Sequence, residues 1–374
     1  MNYFYSHILK PIFFRLNPEF VHERMTTLGV FLGRWKITRI LIRALFHYDH
    51  PALEQDLFGL HFKNPVGLSA GFDYNIQLPR IIESVGFGFM SGGTVTFSSY
   101  EGNPKPRLAR LPKSRSLLVN KGFKSLGVEK VLEQLVFSEE KDFHLGISIG
   151  ATNSPFVCDP EGQVEDILKS FRFLMNHPKG KRFSYYELNI SCPNVAGSGV
   201  LAEPEILDRL LKGIREIIGN RVLFVKFQAE IEWEEARELV AIMVHHNVDA
   251  ITVANLVKKR DNLAFEREEI ENINERGWKG NFSGKPVEQF SNELISNIYR
   301  EFGDQIKIIG VGGIFSAEDA YEKIKRGASL VQLITGMIFK GPQLIGNINK
   351  ELVELLEADG YEQLTDAIGV YHRE

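Results

Sequence analysis

From about residue 56 onward, short apolar runs alternate with longer stretches whose apolar positions recur every three to four residues. The runs fall at 66–70, 88–92, 145–149, 186–190, 222–227, 250–254, 306–310 and 330–333. Runs this evenly apolar read as strands buried on both faces, and the stretches between them, such as 205–218, 234–246 and 287–302, as amphipathic helices. Strands alternating with helices predict a parallel sheet. Eight evenly buried strands predict an α/β chain closed into a (β/α)8 TIM barrel. On pattern alone, a doubly wound open sheet is the alternative.

Two segments interrupt the alternation. Residues 97–124 hold Pro104, Pro106, Pro112 and several basic residues between the second strand and its helix. Residues 256–283 follow the sixth strand with a basic cluster at 258–260 and an acidic run at 266–275. Both follow strand ends, so both belong to the face where barrel enzymes place their sites. The charge run reads as a solvated, mobile lid rather than a binding patch. Ahead of the barrel, 3–16 and 18–47 read as amphipathic helices, with Pro18 in the first turn after Asn17. The expected division is 1–48, a helical extension, and 49–374, the barrel.

Charge sharpens the view of the extension. The chain carries a net −4, which offers no global argument for nucleic-acid binding, yet residues 1–48 hold seven Lys/Arg against two Glu. An appended segment of opposite charge points to a partner of its own. Its aromatic and aliphatic residues interleave with the basic ones, which suits either packing on the barrel or lying in a membrane interface. No apolar window is long enough for a transmembrane helix, and the N-terminus lacks a secretory pattern. Cys158 and Cys192 make no disulfide framework and show no metal-ligand spacing, so a reducing compartment and no metal are expected.

Chemistry concentrates at the strand ends. Gly310-Val311-Gly312-Gly313-Ile314 follows the seventh strand and Thr335-Gly336 the eighth, where backbone N–H groups and a short helix suit a phosphate. Tight turns without a ligand are the alternative. Lys226 ends the fifth strand facing the barrel mouth, and a buried lysine needs an anionic partner, either a nearby carboxylate or a flavin edge that gains charge on reduction. Asn189-Ile190-Ser191-Cys192-Pro193-Asn194 closes the fourth strand. Cys192 has no His/Asp set for acyl transfer, and as a thiolate it is suited to abstracting a carbon-bound proton.

These residues also carry a resemblance. The segments Asn64-Pro65-Val66-Gly67-Leu68-Ser69-Ala70-Gly71-Phe72-Asp73, Gly93-Thr94-Val95-Thr96, Gly102-Asn103-Pro104-Lys105-Pro106-Arg107-Leu108, 188–194, Ser283-Gly284-Lys285-Pro286, 309–314 and 330–342 resemble dihydroorotate dehydrogenases in order and spacing. The resemblance spans about residues 55 to 350. Asn17-Pro18-Glu19 followed by His22-Glu23 is similar to the membrane-associated, quinone-reducing class 2, whose extension forms a slot for ubiquinone, whereas a cysteine base resembles class 1.

The resemblance implies FMN as cofactor, dihydroorotate or a related cyclic amide as substrate, a quinone as acceptor, and pyrimidine biosynthesis as setting. It implies a peripheral protein on the inner face of the cell membrane, attached through 1–48, with no nucleic-acid partner. Cys192 falls on the catalytic base. FMN contacts are expected at Ala70, Gly71, Tyr74, Thr94, Ser148, Asn189, Lys226, Ala254, Gly284, Gly313, Ile334 and Thr335. Substrate contacts are expected at Asn120, Gly122, Phe123, Asn189, Asn194, Asn255 and Leu256. Departures fall mainly around the substrate. Tyr74 stands where the family has a lysine touching FMN and substrate, Val119 where it has an asparagine, and Ser148 where an FMN-contacting asparagine is usual. Ala254 and Leu256 replace hydroxyl residues beside Asn255, and Ile334 replaces an aromatic residue. A dehydrogenase for another cyclic amide, or a low-turnover FMN-binding paralogue, are the alternative readings.

Overall fold

The computed structural model describes residues 4–191, 197 and 199–373. Thirteen strands form: β1 Gln55–Leu57, β2 Leu60–Phe62, β3 Val66–Leu68, β4 Phe89–Val95, β5 Leu108–Leu111, β6 Ser116–Val119, β7 His144–Ile149, β8 Tyr185–Asn189, β9 Leu223–Lys226, β10 Ala250–Val253, β11 Asn281–Gly284, β12 Lys307–Val311 and β13 Leu330–Leu333. Eight of them, at the eight predicted runs, close in the order β3-β4-β7-β8-β9-β10-β12-β13, with β13 pairing back to β3 through Val331↔Val66. Closure removes the open-sheet alternative.

The barrel interior is layered. At its lower end the β1–β2 hairpin pushes Phe62 against Phe89, and Phe89, Tyr185, Phe224, Ile309 and Leu330 fill the floor. Rings this large need small neighbours, and Gly67 and Gly146 provide them: a Cβ on Gly146 would lie 2.0 Å from the Tyr185 ring. Above the floor is a buried polar layer. The Ser91 and Tyr185 hydroxyls are 2.9 Å apart, Gln332 donates to Ser91 at 3.0 Å, and Thr252 donates to Glu187 at 3.1 Å. The mouth, with Asn189 and Lys226 in register across β8 and β9, lies one step higher.

The two interrupting segments are ordered and joined to each other. From 97–124 come β5 and β6, and from 256–283 come the helix Arg267–Glu275 and β11, which pairs antiparallel with β6. The expected mobile lid is therefore corrected. Glu269 accepts from the Ser114 backbone at 2.9 Å and its hydroxyl at 2.6 Å, and Lys113 pairs with Glu268 at 2.6 Å. The acidic run is the docking face of a small sheet over the mouth.

The extension contains α1 Lys10–Arg15, α2 Pro18–Arg34 and α3 Lys36–Phe46. Asn17 caps α2, its side chain accepting from the N–H of Glu19 and Phe20 at 2.9 and 3.1 Å. The single helix expected over 18–47 breaks at Trp35, which is extended. Arg39 then donates to the Gly33 carbonyl at 3.0 Å and Thr38 Oγ1 to the Leu32 carbonyl, which satisfies the freed end of α2. Gly29 and Gly33 bring α2 close to the barrel helix Pro79–Val85, since a Cβ on Gly29 would lie 2.9 Å from Leu78. Arg43 pairs with Glu83 of that helix.

Gly146→Ala tests the floor. A methyl against Tyr185 forces a fully buried ring to move, and overpacking of this kind costs about 1–3 kcal/mol. Thermal denaturation should show a melting temperature lowered by several degrees; an unchanged value means the floor has slack.

Candidate functional site

At the mouth a hydrogen-bonded chain links four strand ends. Asn189 donates to Thr94 Oγ1 at 2.8 Å, and Thr94 lies 3.1 Å from Ser148 Oγ. The Asn189 carbonyl oxygen accepts from the Ser191 backbone at 3.2 Å and hydroxyl at 3.0 Å, and Asn255 donates to Ser191 Oγ at 2.9 Å. Each side chain is held by the next, which is how a polar site keeps its geometry when buried. Lys226 donates to Ser69 Oγ at 2.9 Å and to the Ala70 carbonyl at 3.3 Å.

Three connected spaces open from this chain. The innermost, about 500 Å³, lies between β10, β12 and β13 and is lined by Ala70, Lys226, Ala254, Asn255, Leu256, Gly284, Gly313, Ile334 and Thr335. Its loops are cut to shape: Gly284 and Gly313 have φ of +83° and +77°, which favour glycine. A Cβ on Gly336 would lie 2.1 Å from the Ile314 carbonyl. The N–H groups of buried Gly313 and Ile314 have no acceptor among the described residues. Buried donors left open on a cavity wall, near a lysine, suit an anion.

The second space, about 900 Å³, is the mouth proper. Ala70, Gly71, Tyr74, Thr94, Gly122, Phe123, Asn189, Lys226, Asn255, Leu256, Ile334 and Thr335 line it, together with His22, Lys121 and Lys124. Its described lining holds cations and no carboxylate. The third, about 1230 Å³, is almost wholly apolar and runs between the extension and the barrel, past Phe13, Phe14, Val21, Leu28, Leu32, Ile81 and Met337. His22, Phe72, Leu108, Leu117 and Ile338 line both the second and the third, so the polar mouth leads directly into the apolar channel.

Two expected positions stand elsewhere. Ser148 is fully buried behind Thr94 and supports it rather than facing a cavity. Asn120 turns its carbonyl oxygen to Asn103, which donates to it at 2.8 Å, so its side chain belongs to the loop. Cys192 and Asn194 lie outside the described residues. Sequence reasoning left Ser69, Ser191 and Ser283 without roles, although each sits inside a quoted motif; Ser283 Oγ lies 2.8 Å from Thr335 Oγ1. Lys121 and Lys124, which line the mouth, also pair with α2: Lys121 with Glu19 at 2.6 Å and Lys124 with Glu23 at 3.6 Å.

Burial sets the charge states here. Desolvation, reinforced by Lys121, pushes His22 down to about 4. Burial also lowers Lys121 below its ordinary range, with Glu19 pulling it back, and raises the Tyr74 hydroxyl. His22 is therefore a neutral ring at physiological pH, packed edge-to-face on Phe72 at 5.1 Å and tilted against Tyr74 at 5.2 Å. Its folded value lies below the unfolded 6.5. The stabilisation is thus complete above the unfolded value and is lost as pH falls through it toward about 4, because the unfolded chain binds the proton first. Melting temperatures measured across this interval should fall more steeply for the parent than for His22→Gln; parallel curves would mean an ordinary histidine.

With this geometry in view, the comparisons with known proteins agree. The family model described as "Dihydroorotate dehydrogenase" matches residues 52–356. "Dihydroorotate dehydrogenase (quinone)" from Nostoc punctiforme is 35% identical over 382 residues, with 98% of each chain covered. The protein of the same description from Nocardia farcinica is 34% identical, covering 98% of this chain and 97% of its own. Among solved structures, ligand-free DHODH from Eimeria tenella superposes with a TM-score of 0.82 at 28% identity, covering 96% of this chain and 100% of that one. The ferulenol complex of DHODH from the same organism gives 0.80 at 27%, covering 96% of each. The chain belongs to the dihydroorotate dehydrogenase family.

Proposed function

We propose that this chain oxidises (S)-dihydroorotate to orotate with FMN as its carrier and a quinone as acceptor, in pyrimidine biosynthesis. One observation carries the reading: an anion cradle, a polar mouth and an apolar channel lie in line, each opening into the next. The family is flavin-dependent, and the residues present fit FMN. The glycine loops at Gly284, Gly313 and Gly336, with the open N–H groups of Gly313 and Ile314, would hold its phosphate, while Ala70, Gly71, Thr94, Asn189 and Lys226 would hold its ring. When bound, FMN supplies a two-electron acceptor that can pass electrons on to the quinone.

The protein's own groups do the rest. Asn189 and Asn255, braced through Ser191, present amides to the substrate ring, and Cys192 takes the proton from C5 while hydride leaves C6. Lys226 places a positive charge beside the group that gains electrons. The neutral His22 and the almost wholly apolar channel keep water off the route to the acceptor. Oxidation of another cyclic amide is the second reading, favoured by Tyr74 at the position of the family's lysine. Cys192→Ala should slow flavin reduction by dihydroorotate about 10²–10⁴-fold. The parent rate should rise with pH as the thiol ionises, from a reference pKa of about 8.5. Stopped-flow reduction decides it, and an unchanged rate removes cysteine from the mechanism.

Residues 1–48 are assigned as the unit that rests on the inner face of the cell membrane and admits quinone. No helix among the described residues is long and apolar enough to cross a membrane. Yet thirteen of the seventeen exposed large hydrophobic side chains lie between Phe4 and Leu45, Trp35, Ile37, Leu41 and Leu45 among them. Arg15, Arg24, Arg34 and Lys36 are exposed beside them. An apolar face ringed by basic residues fits a headgroup layer, each cation near an anionic surface adding about 1 kcal/mol. Co-sedimentation with anionic vesicles should weaken as salt rises. Deleting 1–48 should abolish binding and long-chain quinone reduction while FMN stays bound; full quinone activity without the segment would refute the channel.

A further inference from the structure

Glu19, on the first turn of α2, lies between two cations of the barrel loops. Lys121 Nζ is 2.6 Å and Arg107 3.0 Å from its Oε1, and all three side chains are only 8% exposed. One negative charge against two positive ones leaves a buried surplus of +1. An uncompensated buried charge is costly, so such a cluster is suited to receive an anion.

The surplus belongs to Lys121. Arg107 makes a second contact to Glu19 Oε2 at 3.4 Å and also donates to the Glu101 carbonyl. Lys121 donates to Glu19, which leaves two of its three N–H donors for another acceptor. It lines the mouth beside Gly122 and Phe123, and its ammonium sits 5.4 Å from the centre of the Tyr74 ring. That ring occupies the place where the resemblance puts a lysine that touches the substrate. The mouth has therefore lost a cation at 74 and holds one against the same ring, delivered from the opposite loop. Lys124 is a weaker candidate because it is one-to-one with Glu23 and 30% exposed, where water screens it.

We propose that Lys121 binds the carboxylate of the substrate, with Glu19 and the Tyr74 ring fixing its ammonium in the mouth; this rests on dihydroorotate being the substrate. The specificity-determining cation of this chain is then held by its N-terminal extension, which reaches the substrate side of the site as well as the acceptor side. Lys121→Met leaves Glu19 paired one-to-one with Arg107, so the variant should fold and retain FMN. The test follows flavin absorbance on titration with orotate and with orotamide, its uncharged amide. Lys121→Met should lose orotate affinity by about 10- to 150-fold, the range of a charge-assisted hydrogen bond, and leave orotamide affinity where it was. Adding Tyr74→Lys should restore orotate binding by returning a cation to the same ring's place. Unchanged orotate affinity in Lys121→Met, or equal loss of orotate and orotamide, overturns the assignment while dihydroorotate stands as substrate. A parent protein that carries FMN but neither binds orotate nor oxidises dihydroorotate removes the substrate reading, and this inference with it.

Discussion

A sheet that closes on itself has no edge strands, and all eight of its parallel strands end at one rim. Everything with chemistry in this chain follows from that constraint. Asn189, Lys226, Asn255, Gly313 and Thr335 are far apart in sequence and adjacent in space because each stands at or just past a strand's C-terminal end. The lower end can then be given to packing alone, with Phe62, Phe89, Tyr185 and Phe224 over glycines that make room for them. Stability sits at one end and polar function at the other.

A rim crowded with polar groups must still be shielded, and that task falls to parts outside the barrel. The sheet of β5, β6 and β11 covers one side, with Glu269 fastening the acidic helix to Ser114. The extension packs against that sheet, Arg110 of β5 donating to the Phe13 and Leu16 carbonyls, and its grip is electrostatic where it meets the mouth and apolar further out. Glu19 reaches two loops at once, whereas Gly29 and Gly33 let α2 settle against Leu78 and Ile81. Ion pairs this buried contribute little net stability against an apolar substitute. Their value here is placement: a carboxylate that satisfies both Arg107 and Lys121 fixes the angle of α2 over the mouth.

The strands were legible because both of their faces are buried, which writes each of them as a continuous apolar run. The glycine loops, Lys226 and the Asn189–Asn194 motif were legible because strand ends mark where a barrel keeps its site. The small covering sheet was not, since β5, β6 and β11 are four residues each and β6 meets β11 across 162 to 168 positions, from Asn281↔Val119 to Gly284↔Ser116. Nor was the break at Trp35, since Gly33 stays inside α2 and no proline follows; it is made by Arg39 and Thr38 capping the Gly33 and Leu32 carbonyls. Asn120 has the right chemistry to meet a substrate, but its loop turns it toward Asn103. The pairing of Lys121 with Glu19, 102 positions earlier, leaves no local trace in the sequence.

The position of His22 ties these observations together. It follows Glu19 by three residues on α2, so the two side chains share one helix face. Glu19 is spent on the cations of the mouth, and His22 stands where the mouth gives way to the apolar channel. Packed against Phe72 and Tyr74 and facing Lys121, its ring is held neutral, because a second positive charge there would be both desolvated and repelled. One turn of helix thus sets a sharp boundary between a cationic space and an almost wholly apolar one. A polar, anionic substrate and an apolar acceptor can be served from adjoining spaces only if charge changes abruptly between them, and α2 makes that change within a single turn.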